Sequence, residues 1–347
     1  MSRQLLALQE RLSAQIGHAQ TLSLMVDKGL AHWHARWIGH GLVARVPKQS
    51  QMGLSPVQNL AYEAACFDRA ATSQHTPRLH QVIAPDQDLP WGALLVEEIS
   101  GSAASAQDTT HAVMLSLAAL HKLPLPPANA RAPLLDAPEP AQDLIDLINV
   151  QAVHLNHAGI NADTRRCVNA RLQAMRIDLP ICCAGLPKRL IAFDAHPGNF
   201  LIRDNGQAVL VDLEKMRYSF PPLDLAHATL YTSTTWDVHS AFELTTHQVA
   251  QAYQVWLSAM GEAGAVYKKA LVPLREAMWL WSMTWCAQWL SESDQNAKTK
   301  PGGQDWSAQH SDAALIAHVR ARVQDFLAPR SVQRVQDEFD QLRKIFV

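Results

Sequence analysis

Residues 189–214 read Arg-Leu-Ile-Ala-Phe-Asp-Ala-His-Pro-Gly-Asn-Phe-Leu-Ile-Arg-Asp-Asn-Gly-Gln-Ala-Val-Leu-Val-Asp-Leu-Glu, and this stretch decides the fold. Asp194 closes the apolar run 190–193, Asn199 follows across a His-Pro-Gly turn, and Asp212 ends the β-prone run 208–211. Between the two runs, Asp204-Asn205-Gly206 has the composition of a tight hairpin turn, because Asn and Gly tolerate the backbone that such turns require. A short hairpin therefore carries Asn199 and Asp212 towards one point. The trio suits phosphoryl transfer. One carboxylate accepts the proton of an acceptor hydroxyl, while an amide oxygen and a second carboxylate hold the magnesium of a nucleotide.

The rest of the chain bounds this reading. Its 347 residues are too many for one small core and suit two lobes or one large domain. With 48% apolar and 18% charged residues, it reads as a packed globular protein. Thirty basic residues against 32 acidic ones leave a net charge of −2, and Lys and Arg are dispersed, so no nucleic-acid-binding stripe is expected. Five cysteines (Cys66, Cys167, Cys182, Cys183, Cys286) without CxxC spacing fit reduced thiols in a cytoplasmic protein, not a disulfide framework or a zinc site. The first residues read as an amphipathic helix, with Leu5, Leu8, Leu12 and Ile16 on one face and Arg3, Glu10 and Arg11 breaking the apolar core a signal peptide would need. No run approaches the length of a membrane span. None of the 16 histidines has the His-Glu-x-x-His spacing of zinc hydrolases, and no Gly-x-Ser-x-Gly elbow is present.

Short β-prone segments at 22–26, 33–38, 42–46, 79–83 and 92–98 are separated by turn signals such as Gly39-His40-Gly41. One helix interrupts them, with Ser55 as N-cap and Pro56 in its first turn, running to about residue 71 and carrying Glu63. The expectation is one small antiparallel sheet with one helix. Beyond residue 101 the pattern turns helical, at 109–123, 141–157, 163–176, 224–232, Thr246–Met260, 265–291, 311–327 and 331–346. Six prolines make 124–140 an irregular loop, and 291–310 is polar with a Pro-Gly-Gly break, hence another loop.

The catalytic stretch resembles that of the aminoglycoside phosphotransferase and choline kinase family, whose pattern is His-Gly-Asp, four residues, Asn, and a strand-ending Asp about a dozen residues later. Asp194, Asn199 and Asp212 fit it, His196-Pro197-Gly198-Asn199-Phe200-Leu201 is close to the usual wording, and Asp224-Leu225-Ala226 follows the second Asp as in many members. Ala192 and Phe193 depart from the His-Gly, which bears on the rate more than on the fold.

The resemblance implies an α+β, protein-kinase-like fold of two lobes: a small sheet lobe over 1–100 that covers the nucleotide and a mainly helical lobe over 101–347 that holds the hairpin and the acceptor site. It implies Asp194 as the base, and Asn199 and Asp212 as ligands of Mg2+ beside ATP. Arg45 falls where the family carries Lys or Arg, bridging phosphates and Glu63; the alternative is a surface ion pair, with Lys48 on the phosphates. Gly29 lies in the expected nucleotide-covering loop, and Glu97, Glu98 and Ile99 in the hinge that reads the adenine edge. The expected partner is a small molecule bearing a hydroxyl, such as an amino alcohol, a sugar or an aminoglycoside.

Two side-chain groups leave alternatives open. Glu214 would share the Asp212 face if the strand continued, touching a second metal or a cationic acceptor, or it is a solvated carboxylate. Trp281, Trp285 and Trp289 repeat at helical spacing, close to Trp279, and form either core or part of a cage for an amine. Asp237, Glu243 and Glu292 are candidates for an acidic rim. A catalytically weak kinase-like protein that binds a nucleotide or a partner is the alternative function. Nucleotidyl transfer, which would release pyrophosphate, is a third reading. With so few residues between Asp212 and Asp224, there is no room for the activation segment of a protein kinase.

Overall fold

The structure, a computed structural model, describes residues 2–26, 31–157, 159–237, 240–294 and 313–346. Helix α1 (Ser2–Ile16) precedes a sheet of β1 (Leu22–Leu24), β2 (His32–Trp37), β3 (Leu42–Pro47), β4 (Leu79–Ile83) and β5 (Ala93–Glu97), with α2 (Pro56–Ala70) inserted after β3. The strand order is β1-β2-β3-β5-β4, and every pairing is antiparallel. Ser55 caps α2 through a reciprocal capping box with Gln58, and Pro56 opens its first turn, as the sequence pattern predicts.

The sheet sorts its side chains with period two. Trp33, Ala35 and Trp37 of β2 and Ala44 and Val46 of β3 pack with Leu8 and Leu12 of α1 in one apolar cluster. The opposite face carries His32, His34 and Arg45, with His34 directly across from Arg45 in the β2–β3 register. That face looks towards α2 and the helical lobe. The sheet is thus covered by α1 on one side and presents His32, His34 and Arg45 on the other.

A second set of strands, β6 (Ser102–Ala103), β7 (Arg189–Ile191), β8 (Phe200–Ile202), β9 (Ala208–Leu210) and β10 (Arg217–Ser219), builds the hairpin region. β8 pairs with β9 and with β6, and β7 with β10. Gly101 lies so close to β8 that a Cβ there would sit 2.5 Å from the Ile202 carbonyl oxygen, a backbone contact with no room to yield.

Helices α3 (Ala106–Thr110), α4 (Ala112–His121), α5 (Pro140–Ala152), α6 (Ala162–Cys182), α7 (Pro222–Thr229), α8 (Tyr231–Thr234), α9 (Thr246–Met260), α10 (Glu262–Ala265), α11 (Leu271–Asp294), α12 (Ala313–Phe326) and α13 (Pro329–Phe346) complete the second lobe. Several boundaries differ from the expectation: 224–232 divides into α7 and α8, and the run at 265–291 begins as a helix only at Leu271. The segment 109–123 is broken at His111, whose backbone leaves the helical region, because Ser105 and Asp108 cap a separate short turn before it. Helix α6 runs on to Cys182, with Pro180 near its end. Of the expected loop at 291–310, residues 291–294 instead continue α11, and residues 295–310 lie outside the described residues.

Helix α11 is the axis of this lobe, packing on α5, α6 and α7. Its Arg275 is fully buried, yet each end of the guanidinium is satisfied: Nε and Nη2 donate to Glu338 of α13 at 2.8 and 2.6 Å, and Nη1 donates to Thr229 at 2.6 Å and Tyr253 at 3.1 Å. Breaking such a pair leaves a charge with no counter-ion in a low-dielectric interior. Glu338→Ala is expected to destabilise the protein by about 3 kcal/mol. Arg334→Ala, which removes an exposed pair with Glu243, should cost less than about 1 kcal/mol. Denaturant unfolding of the two variants checks the contrast; equal losses would mean that Arg275 is not held by Glu338.

Candidate active site

Between β7 and β8 the chain turns through Ala192, Phe193 and Asp194, and the turn is held from beneath by Asp224. Its carboxylate, completely buried, accepts from the Ala192 and Phe193 amides at 2.7 and 2.8 Å. It also lies 3.0 Å from His121 Nε2, while Trp256 Nε1 donates to His121 Nδ1 at 3.0 Å, which leaves Nε2 as the nitrogen that donates to Asp224. Phe193 sits at φ +60°, a left-handed conformation that favours glycine. The Asp224 hydrogen bond, the Arg217 guanidinium 3.7 Å from the ring centroid and the edge of Trp281 at 5.4 Å hold it there. The departure Ala192-Phe193 is thereby accommodated within this turn.

Asp194 and Asn199 are tied together, the Asn199 amide donating to the Asp194 carbonyl at 2.8 Å. The Val211 amide donates to the Asn199 carbonyl at 2.9 Å, which brings Asp212 alongside. The Asp194 carboxylate accepts from Lys215 Nζ at 2.7 Å and lies 3.5 Å from His227 Nδ1. Burial disfavours its charge, but the Lys215 ammonium outweighs that and holds the carboxyl well below the ordinary carboxylate range. Burial pushes the His227 imidazole down to about 4 and lowers that of His196. Two neutral rings thus flank the carboxylate. The sequence pattern does not single out Lys215; its only signal is a cation directly after Asp212 and Glu214 in the Asp-Leu-Glu-Lys-Met run.

The phosphate side differs from expectation. Arg45 does not pair with Glu63. Its Nη2 donates to Asp212 at 2.6 Å and its Nη1 to the Val211 carbonyl at 3.1 Å, so the first ion pair of the site crosses between lobes. Burial works against both charges, and each is held by the other: Arg45 lowers the Asp212 carboxyl, and Asp212 raises the guanidinium. His32 takes Glu63 instead. Its Nε2 lies 3.0 Å from Glu63 and its Nδ1 2.7 Å from Glu214, with all three side chains buried. Glu214 is therefore neither solvated nor turned to an acceptor. Asn59 also donates to Glu63, at 2.6 Å.

His32, Glu63 and Glu214 lie close enough for three ligand atoms to meet one ion. However, each imidazole nitrogen faces a different carboxylate, and an imidazolium satisfies both at once. Despite burial, the two carboxylates raise His32 to about 10.

The hinge candidates have partners of their own. The Glu97 and Glu98 amides donate to the Arg78 and Gly41 carbonyls at 2.9 and 2.8 Å, and their carboxylates pair with Arg203 and Arg36. Neither amide is left to read a base edge. Gly29 lies outside the described residues. The tryptophans divide: Trp279 and Trp289 are core, Trp285 packs against Trp236, and Trp281 alone reaches the loop, against Phe193 and His227. In the acidic rim, Glu243 is paired with Arg334.

A small sheet lobe over a helical lobe, with a carboxylate loop and a strand-ending Asp at their junction, is the architecture of a kinase-like phosphotransferase. A family model described as "Phosphotransferase enzyme family" matches residues 33–266, and the chain belongs to that family. No match was found among the curated proteins. Solved structures share the fold. An ethanolamine kinase from Plasmodium vivax aligns at 12% identity over 90% of this chain and 84% of its own, with a TM-score of 0.57. Choline kinase from Cryptosporidium parvum gives 10%, 93%, 90% and 0.56 for the same quantities. The GDP and kanamycin complex of APH(2'')-IIia gives 15%, 92%, 98% and 0.58.

The neutral His227 has a consequence for stability. An unfolded chain takes up this proton near 6.5, whereas the folded one resists it until about 4. Across that window the unfolded state binds more protons, so the His227 contribution makes stability fall as the pH falls. His227→Gln should remove that part of the slope: measured at pH 7 and pH 4.5, the wild-type melting temperature should drop further than the variant's. Equal drops would show that His227 is protonated without cost.

Proposed function

We propose that this small-molecule phosphotransferase uses ATP with Mg2+ and passes the γ-phosphoryl group to a hydroxyl of a small acceptor. The observation that carries the reading is the convergence of the Asp194 carboxylate, the Asn199 side chain and Asp212 on one loop and hairpin, with Arg45 and Lys215 as the adjoining cations. Asn199 and Asp212 offer an amide and a carboxylate oxygen, hard donors that suit Mg2+. When bound, that ion would neutralise charge on the phosphates.

The remaining work belongs to the chain. Asp194, kept ionised, accepts the proton of the acceptor hydroxyl as the phosphoryl group leaves the nucleotide in line. Lys215 orients the carboxylate. Arg45 exchanges Asp212 for phosphate oxygens, a contact that its forked, permanently charged guanidinium is built to make. Because the transition state is loose, positioning and charge neutralisation supply most of the acceleration. Trp281, with the two neutral imidazoles, gives the acceptor side an aromatic wall. Kanamycin, named in one structural relative, and the choline and ethanolamine of the kinases mark the range of acceptors to try.

Asp194→Asn keeps the shape and removes the proton acceptor. In a screen of hydroxyl compounds for stimulated ADP release, wild type should respond to at least one acceptor. The variant should turn it over roughly 10²–10⁴-fold more slowly. Near-normal turnover by Asp194→Asn would reject the base assignment, and pyrophosphate in place of ADP would reject kinase chemistry.

A further inference from the structure

The charges at the lobe junction sort into two sets. Asp212 is held by Arg45, and Glu63 and Glu214 are held by His32. The three carboxylates and the two cations come from four places in the chain: β2, β3, α2 and the segment after β9. Both glutamates also act on Arg45 through space, and in the same direction as Asp212. Lys215 is already committed to Asp194, so without His32 the three carboxylates would compete for the Arg45 guanidinium.

We infer that His32 is a positioning residue for nucleotide binding: as the counter-cation of Glu63 and Glu214, it keeps both off Arg45 and so leaves that guanidinium free to exchange Asp212 for phosphate. The inference rests on the nucleotide-binding reading above. The geometry is specific, because the two ring nitrogens address carboxylates from different lobes at 3.0 and 2.7 Å and the ring is 3% exposed. Glutamine at this position is uncharged, and with both its donors on one nitrogen it does not reproduce the two separate ring-nitrogen contacts. The unmatched charge then falls to Arg45, the next cation on the same face of the sheet.

A double-substitution cycle of His32→Gln and Glu63→Gln, read by calorimetric titration of the full chain with Mg–ADP, tests this. His32→Gln should weaken Mg–ADP at least about tenfold, since the lost interaction involves buried charge, and should leave the apparent KM of the acceptor unchanged. Adding Glu63→Gln should recover most of the lost affinity, because it removes the carboxylate left unmatched. A residue that only fills space would not behave so; its loss would be additive with that of Glu63 and would affect both substrates. If His32→Gln alone does not fold, the double variant is compared with Glu63→Gln. Affinities alike within about threefold support the assignment, and a tenfold deficit in the double variant overturns it. Additive losses in a wild type that binds Mg–ADP overturn this inference alone. A wild type that binds no nucleotide overturns the kinase reading as well.

Discussion

The site depends on one buried carboxylate. Asp224 has no exposure to water, and its oxygens are occupied by two backbone amides and a histidine. A buried polar group so placed is tolerated only where donors replace its lost hydration. Asp224 therefore fixes the path of the backbone that supplies those donors. That path is the turn before Asp194, including the left-handed Phe193. Because Asn199 is tied to the Asp194 carbonyl and Val211 to Asn199, the constraint passes from the floor of the helical lobe to both sides of the hairpin.

Above that floor the lobes meet through charge. The cations His32 and Arg45 come from the inner face of the sheet, and Asp212 and Glu214 from the segment that follows the hairpin. Charges in low dielectric interact strongly but lose hydration, so such a junction is favourable only when each group has a partner. The Arg45–Asp212 pair is the one that a magnesium nucleotide would replace. A phosphate would take the guanidinium, and the cation would take the carboxylate. Until then each of these two charges neutralises the other.

Much of this was legible in the sequence because it is locally encoded. Alternation and turn residues give the strands, the Ser55-Pro56 start gives α2, and the Asp-Asn-Gly turn with its flanking runs gives the hairpin that joins Asn199 to Asp212. The partners of buried charges were not legible. Arg45 is in reach of several carboxylates, and which one it takes is decided by the separation of the lobes and by a histidine that alternation alone marks as inward-facing. Lys215 and the His121–Asp224 contact were missed for the same reason, since their partners are distant in sequence or on another element. The break at His111 follows from the Ser105–Asp108 cap, which the helical spacing of 109–123 does not reveal.

The central claim is that Asp212 exchanges Arg45 for a divalent cation when nucleotide binds. Calorimetric titration of ADP into wild type and Asp212→Asn, each with and without Mg2+, tests it most directly. Wild type should bind ADP more tightly with Mg2+. The variant, with Arg45 already released, should bind Mg2+-free ADP at least as well as wild type and gain nothing from the metal. An equal gain from Mg2+ in both proteins would contradict the account.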